Sequence, residues 1–141
     1  RLREAGAVSL GKTVMPDYGM LSSGLSSLHG VTRNPWRLDR NTSGSSSGAG
    51  AAGAAGYGPL HVGTDIGGSV RLPAAHCGLY GLKPSLGRIP VDPPYIGRCA
   101  GPMTRSVHDA AMHGLGRIAG ILIGIVHGSW AIGYVCGEGL P

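Results

Sequence analysis

The stretch from Gly63 to Gly78, GTDIGGSVRLPAAHCG, constrains this chain most, because it must pass from strand to helix within a few residues around one serine. Leu60 to Gly63 reads as the strand that delivers the loop, and Pro73 stands where a helix tolerates proline, in its first turn. Between them Gly67 and Gly68 lack a Cβ, so both are expected to adopt dihedrals closed to other residues and to aim successive N–H groups at one point. An acyl carbon attacked by the Ser69 hydroxyl would carry its oxygen beside the amides of Ile66, Gly67, Gly68 and Ser69, the arrangement that stabilises a developing oxyanion. Nucleophile and oxyanion hole are thus expected from one loop. Thr64 and Asp65 can hydrogen-bond local backbone and fix its shape.

Around this loop the coarse order is strand, loop, helix, strand, loop, helix, strand, which suits an α/β layered core. Arg1 to Ala5 is a helix-like end, Ala7 to Leu10 a short apolar strand, and Asp17 to Thr32 a serine- and glycine-rich loop expected at the rim of a cleft. Ser46 to Gly56, SSGAGAAGAAG, has the composition of a flexible linker. Its alanines at 49, 51, 52, 54 and 55 suit instead a buried helix in close backbone contact with its neighbours, its positive end directed at the serine loop before it. Gly78 to Lys83 reads as a strand, Pro84 to Pro94 as an extended, turn-rich segment, and Ala100 to Ala111 as a segment leading into a helix.

A second serine cluster, NTSGSSSG, occupies positions 41–48, with Ser45 lying 24 residues before Ser69. The paired serines, the small-residue helix and GTDIGGSVR together resemble the amidase signature family, over about residues 1–111. That resemblance implies a layered α/β/α core with a mixed sheet, here truncated. It also implies a Ser–cis-Ser–Lys triad. Ser69 would attack, Ser45 would relay the proton across a non-proline cis peptide with its hydroxyl within hydrogen-bond reach of Ser69, and a neutral lysine would be the final base. Ser46, Thr64, Asp65 and Arg71 would support the loop, Arg71 bracing it through Asp65 or a carbonyl. The usual second Gly–Gly after the paired serines is Ser47–Gly48 here.

The implied reaction is hydrolysis of a linear or aryl carboxamide through a serine acyl-enzyme, with no metal or organic cofactor and a small-molecule amide as substrate. One alternative is a protein like the glutamine-hydrolysing A-subunit of a tRNA-dependent amidotransferase, although GRIPVDPPYIGRCAGPMTR looks more like the stand-alone amidases. Another is a non-catalytic remnant with a membrane-tethering tail. The family's lysine lies further upstream than the 44 residues before Ser45 allow. Lys12 is the one lysine ahead of Ser45, in a stretch resembling the strand and turn that follow the catalytic lysine, so it is not assigned as the base. The expectation is an internal fragment, without turnover alone; were turnover found, Lys83 would be the first candidate base.

Several other readings are excluded. Gly6 to Thr13, GAVSLGKT, satisfies the P-loop pattern, but Pro16 stands where the phosphate-facing helix should continue. The net charge of +5 is scattered, with no basic run or aromatic interleaving, so nucleic acid is not expected as a partner. Cys77, Cys99 and Cys136 are odd in number and lack metal-ligand spacing, which fits a reducing, cytoplasmic setting and no metal site. Cys77 reads as a small core residue, and His61 and His76 as packed or solvent-facing. With no Phe and 27 glycines, large core side chains are scarce, so low stability in isolation is expected.

Residues 112–141 depart from the family pattern and form an unassigned, glycine-rich apolar tail. No charge occurs between Ile118 and Cys136, and Gly116, Gly120, Gly124 and Gly128 recur at the spacing of packed membrane helices. The abrupt loss of resemblance favours instead a segment foreign to the core, expected to pack little against it. No oligomeric state is implied.

Overall fold

The computed structural model describes Leu2, residues 6–111, and the backbone of two later strands at 123–124 and 131–136. Apart from Leu2, the helix-like end expected at Arg1 to Ala5 lies outside the described residues. In chain order the first elements are β1 (Ala7–Thr13), a 3-10 turn at Asp17–Gly19, β2 (Leu25–Ser26), β3 (Gly30–Val31), β4 (Arg33–Asn34) and β5 (Arg37–Asn41). Then come α1 (Ser47–Ala54), β6 (Leu60–Asp65), α2 (Arg71–Cys77), β7 (Tyr80–Gly81), β8 (Val91–Asp92), β9 (Cys99–Thr104) and α3 (Val107–Ala111). The late strands are β10 (Ile123–Gly124) and β11 (Ala131–Cys136).

The central sheet has the order β1-β11-β6-β9-β7. The resemblance implies a mixed sheet; the five strands paired here run antiparallel throughout, and a parallel pairing joins β8 to β10 outside them. Successive side chains of a strand point to opposite faces. On β6 and β9, Leu60, Val62 and Ala100 therefore gather on one face with Leu2, Ala7 and Ile89. Met103 lies on the other, with Ala49 of α1 and Val70 and Ala74 of α2.

Small side chains let α1 approach its neighbours to backbone distance. A Cβ on Gly48 would stand 2.7 Å from the Val14 nitrogen, one on Gly50 2.9 Å from the Pro73 Cβ, and one on Gly53 2.8 Å from a Leu79 methyl. The linker-like composition thus encodes a tightly packed helix. It starts at Ser47 rather than at the relay serine, because Ser46 takes the N-cap position. The strand expected from Gly78 shortens to Tyr80–Gly81, since Gly78 adopts φ 69° and closes α2 in the left-handed conformation. The β4–β5 hairpin caps that helix end, Asn34 Nδ2 donating to the His76 carbonyl at 2.7 Å and Trp36 Nε1 to the Cys77 carbonyl at 2.8 Å.

Two further expectations meet the structure here. The P-loop-like residues Ala7–Thr13 form a strand of the sheet, so no helix opens after Lys12 to receive a phosphate. The tail, expected to pack little against the core, enters it at β11. Ile132 pairs with Val62 on one side and with Lys12 on the other, and Tyr134 pairs with Leu60. An unpaired edge of β6 would leave a row of N–H and C=O groups without partners, and β11 supplies them. β10 and β11 are strands, so Ile118 to Cys136 is not one continuous helix, and no helix among the described residues is long and apolar enough to cross a membrane. The remainder of 112–141 lies outside the described residues.

A chain ending at Ala111 should therefore lose cooperative unfolding and aggregate, because β1 and β6 would both be left with open edges. Thermal melts and size-exclusion profiles of the two lengths read this directly. An unchanged melting temperature in the shortened chain would show that β11 contributes nothing to the core.

Candidate active site

The serine cluster before α1 sorts into anchored and unanchored hydroxyls. Ser43 Oγ donates to the Ser22 carbonyl at 3.1 Å, Ser46 Oγ to the Thr64 carbonyl at 3.5 Å and Ser47 Oγ to the Val14 carbonyl at 3.2 Å. All three are buried. Ser45, between them, is half-buried and its hydroxyl is committed to no hydrogen bond among the described residues. The Gly44–Ser45 peptide is cis. Gly63 makes this arrangement possible: a Cβ there would overlap Ser46 Oγ and stand 2.8 Å from the Ser46 Cβ. The Ser46 N–H in turn donates to the Ser69 carbonyl at 3.2 Å, which ties the serine loop to the nucleophile loop.

The second loop is organised by one carboxylate. Asp65, 1% exposed, accepts the Gly68 N–H at 2.8 Å, the Val70 N–H at 3.0 Å and the Arg71 N–H at 3.2 Å. It also accepts the Arg71 guanidinium through Nε at 3.1 Å and Nη2 at 2.9 Å. Burial alone would push the Asp65 carboxyl up, but Arg71 and the three amides outweigh it and hold the pKa at about 2. Arg71 thus braces the loop through Asp65. Thr64 supports its neighbours by its carbonyl, while its side chain makes no hydrogen bond among the described residues.

Two details correct the oxyanion reading drawn from the glycines. Gly68 alone has a φ closed to other residues, +127°, whereas the side-chain direction of Gly67 is open space. The Gly68 amide is spent on Asp65, so it is not free to meet an oxyanion. Asp65 passes over Ser69, whose amide, like that of Gly67, donates to nothing among the described residues. Ile66, Gly67 and Ser69 therefore remain as the candidate donors.

Ser45 and Ser69 line one cavity of about 230 Å³, together with Tyr18 to Ser22, Thr64, Ile66, Gly67 and Arg98. No hydrogen bond joins the two serine hydroxyls, so they share the cavity without the direct contact a relay would use. The segment Tyr18 to Ser22 forms the rim expected of the 17–32 loop. Arg98 was not foreseen; its signal in the sequence is a lone cation next to the turn residues of YIGR.

Among the described residues, no Lys, His, Asp or Glu lines this cavity. Lys12 lies in a separate depression with Asp17 and His29. Lys83 Nζ donates to the Pro84 carbonyl at 3.3 Å and contacts Cys99 Sγ at 3.5 Å. His61 is buried under α1, its pKa lowered chiefly by burial and also by Arg105, against the Gly58 carbonyl. Burial pushes the Cys77 thiol up to about 11, which keeps it from acting as a thiolate nucleophile.

Asp65 ties the loop's stability to acid. Its folded pKa of about 2 lies below the ordinary 3.8, so its contribution is complete above 3.8 and is lost as pH falls through that value toward 2. The shift corresponds to roughly 2 kcal/mol. Asp65→Asn should cost a similar amount at neutral pH and flatten the acid limb, as read from urea midpoints at neutral and acid pH. Equal midpoints for the two proteins at neutral pH would remove Asp65 from its organising place. Gly63→Ala should separate the two loops and cost about 1–3 kcal/mol by overpacking, measured the same way; unchanged stability would contradict the close approach of Ser46.

Comparison with known proteins identifies the family. The family model described as Amidase matches residues 1–114. The A-subunit of glutamyl-tRNA(Gln) amidotransferase from Symbiobacterium thermophilum is 50% identical over 122 residues, covering 79% of this chain and 24% of that protein. The putative amidase AmiB2 of Mycobacterium bovis is 48% identical over 116 residues, covering 79% and 25%. Among solved structures, a bacterial aryl acylamidase of the amidase signature family aligns at 44% identity with a TM-score of 0.66 over 70% of this chain and 21% of its own. The glutamyl-tRNA(Gln) amidotransferase A-subunit of Thermotoga maritima aligns at 40% identity with a TM-score of 0.71 over 79% and 25%. The chain spans about a quarter of the length of these relatives. With its α/β fold, its two serine loops and the match over most of its length, the chain belongs to the amidase signature family.

Proposed function

We propose that this chain carries the nucleophile, the relay serine and the oxyanion donors of a site that hydrolyses a carboxamide C–N bond. One observation carries the reading: of the hydroxyls in the serine cluster, the one left without a structural partner, Ser45, meets Ser69 at a cavity that also holds uncommitted loop amides. Ser69 Oγ attacks the amide carbonyl, and its proton passes by way of Ser45 to a base. The carbonyl oxygen becomes an oxyanion beside the amides of Ile66, Gly67 and Ser69. Collapse of this intermediate expels the amine, protonated by the same relay, and leaves an acyl-Ser69 that water then cleaves. Ser45 and Ser69 line the same cavity, and catalytic contacts of this kind commonly tighten when substrate binds.

The base is the lysine that family membership implies, supplied by a segment other than these 141 residues, whose two lysines, Lys12 and Lys83, lie away from the cavity. The substrate is a small amide, linear or aryl, in keeping with the cavity's volume of about 230 Å³. A second reading, the glutamine-hydrolysing component of a tRNA-dependent amidotransferase, is supported by the 50% identity to an amidotransferase A-subunit; it would make the other components of such a complex its partners. Ser45 and Ser69 would have the same tasks in either case.

The chain by itself should show no appreciable hydrolysis of simple aryl amides. In a form joined to a lysine-bearing segment, Ser69→Ala should abolish turnover and labelling by a serine-directed fluorophosphonate. Ser45→Ala should lower turnover roughly 10²- to 10⁴-fold. Hydrolysis that persists in Ser69→Ala would sink the assignment, and Ser69-dependent hydrolysis by the chain alone would require a base among its own residues.

A further inference from the structure

We propose that Arg98 determines the specificity of this cavity, selecting amides that bear a carboxylate close to the scissile group; the proposal rests on reading the cavity shared by Ser45 and Ser69 as the substrate site. Arg98 is the one charged residue of the lining among the described residues. Arg37 and Arg40 pair with Asp39, and Arg71 pairs with Asp65. Arg98 has no acidic partner among the described residues, so its fork of donors is open to a ligand.

Its position is built. The Arg98 N–H donates to the Tyr95 carbonyl at 3.1 Å, closing a turn, and the guanidinium carbon lies 4.7 Å from the centroid of the Tyr95 ring. Stacking on a ring holds the guanidinium plane and leaves its edge available for in-plane hydrogen bonds. Within that turn Gly97, at φ +80°, places its Cβ direction 3.7 Å from the Ile66 side chain, so the turn lies against the nucleophile loop.

A planar guanidinium matches a carboxylate with two parallel hydrogen bonds, each charge-assisted. The rest of the lining is hydroxyls, backbone and the side chains of Tyr18, Met20, Leu21 and Ile66, which bring no countercharge. A neutral amide would offer this half-buried cation no countercharge, whereas a carboxylate joined to the amide by a short aliphatic spacer would pair with it. Arg98 binds the substrate and takes no part in bond making.

The test compares succinamate with succinamide, which differ in carboxylate against carboxamide at the far end. Calorimetric titration into the intact chain should show succinamate binding roughly tenfold to a hundredfold tighter. Arg98→Met should erase that preference, and Arg98→Lys should keep part of it. Equal affinity, no binding of either compound, or a preference that survives Arg98→Met would overturn the proposal. The comparison of the two ligands on the unmodified chain needs no variant to fold. A neutral fluorophosphonate applied to the lysine-bearing form separates the two readings. Ser69 labelling without a charge preference would leave the hydrolytic reading standing and refute the role of Arg98. A preference without labelling would do the reverse.

Discussion

The buried carboxylate of Asp65 is the constraint on which the rest of the site depends. A charge removed from water is expensive unless its oxygens are fully hydrogen-bonded. Asp65 meets that demand with the amides of Gly68, Val70 and Arg71 and both arms of a guanidinium. These bonds decide the path of the chain: the loop must curl back on its own strand end, and α2 must begin at Arg71. Because the carboxylate takes residues 68, 70 and 71 and passes over 69, the Ser69 amide is left outside the ring of bonds. Holding the loop and leaving the Ser69 amide uncommitted are one act.

Small residues transmit that geometry to the second loop. Gly63 lies opposite Gly101 in the sheet, and side chains at these positions would collide with Ser46 and with the Leu82 carbonyl. Their absence lets α1 settle on β6 so that the Ser46 N–H reaches the Ser69 carbonyl. Three hydroxyls of the cluster are then consumed by carbonyls of the 14–22 segment and of β6. The serine richness of this stretch is therefore mostly structural, and Ser45 alone of its serines keeps a hydroxyl without a hydrogen bond among the described residues.

The nucleophile loop, the small-residue helix and the bracing of Asp65 by Arg71 were legible in the sequence because each is local: a glycine pair, an alanine rhythm, an acid and a base six residues apart. What was not legible was set by the folded geometry, within the loop as well as from distant partners. Nothing in GTDIGGS reveals that Asp65 would capture the Gly68 amide, or that Gly67 would need no special dihedral. Arg98 gains its meaning only when the 95–98 turn folds against Ile66. The strand at 131–136 escaped because its glycine-rich apolar text has no family pattern, and its place is decided by the open edges of β1 and β6.

That strand bears on how the chain reaches its native state. β1 joins the sheet through β11, with Ala7 opposite Cys136, so its backbone pairing waits on a strand more than a hundred residues later. Pairings between such distant residues carry a high loop-closure cost and form slowly. During synthesis β6, β9 and the helices can assemble first, while β1, with Val8 and Leu10 exposed in this chain, waits unpaired. In that interval the edge of β6 is open to any passing strand, and the yield of native protein becomes a race between β11 and intermolecular pairing.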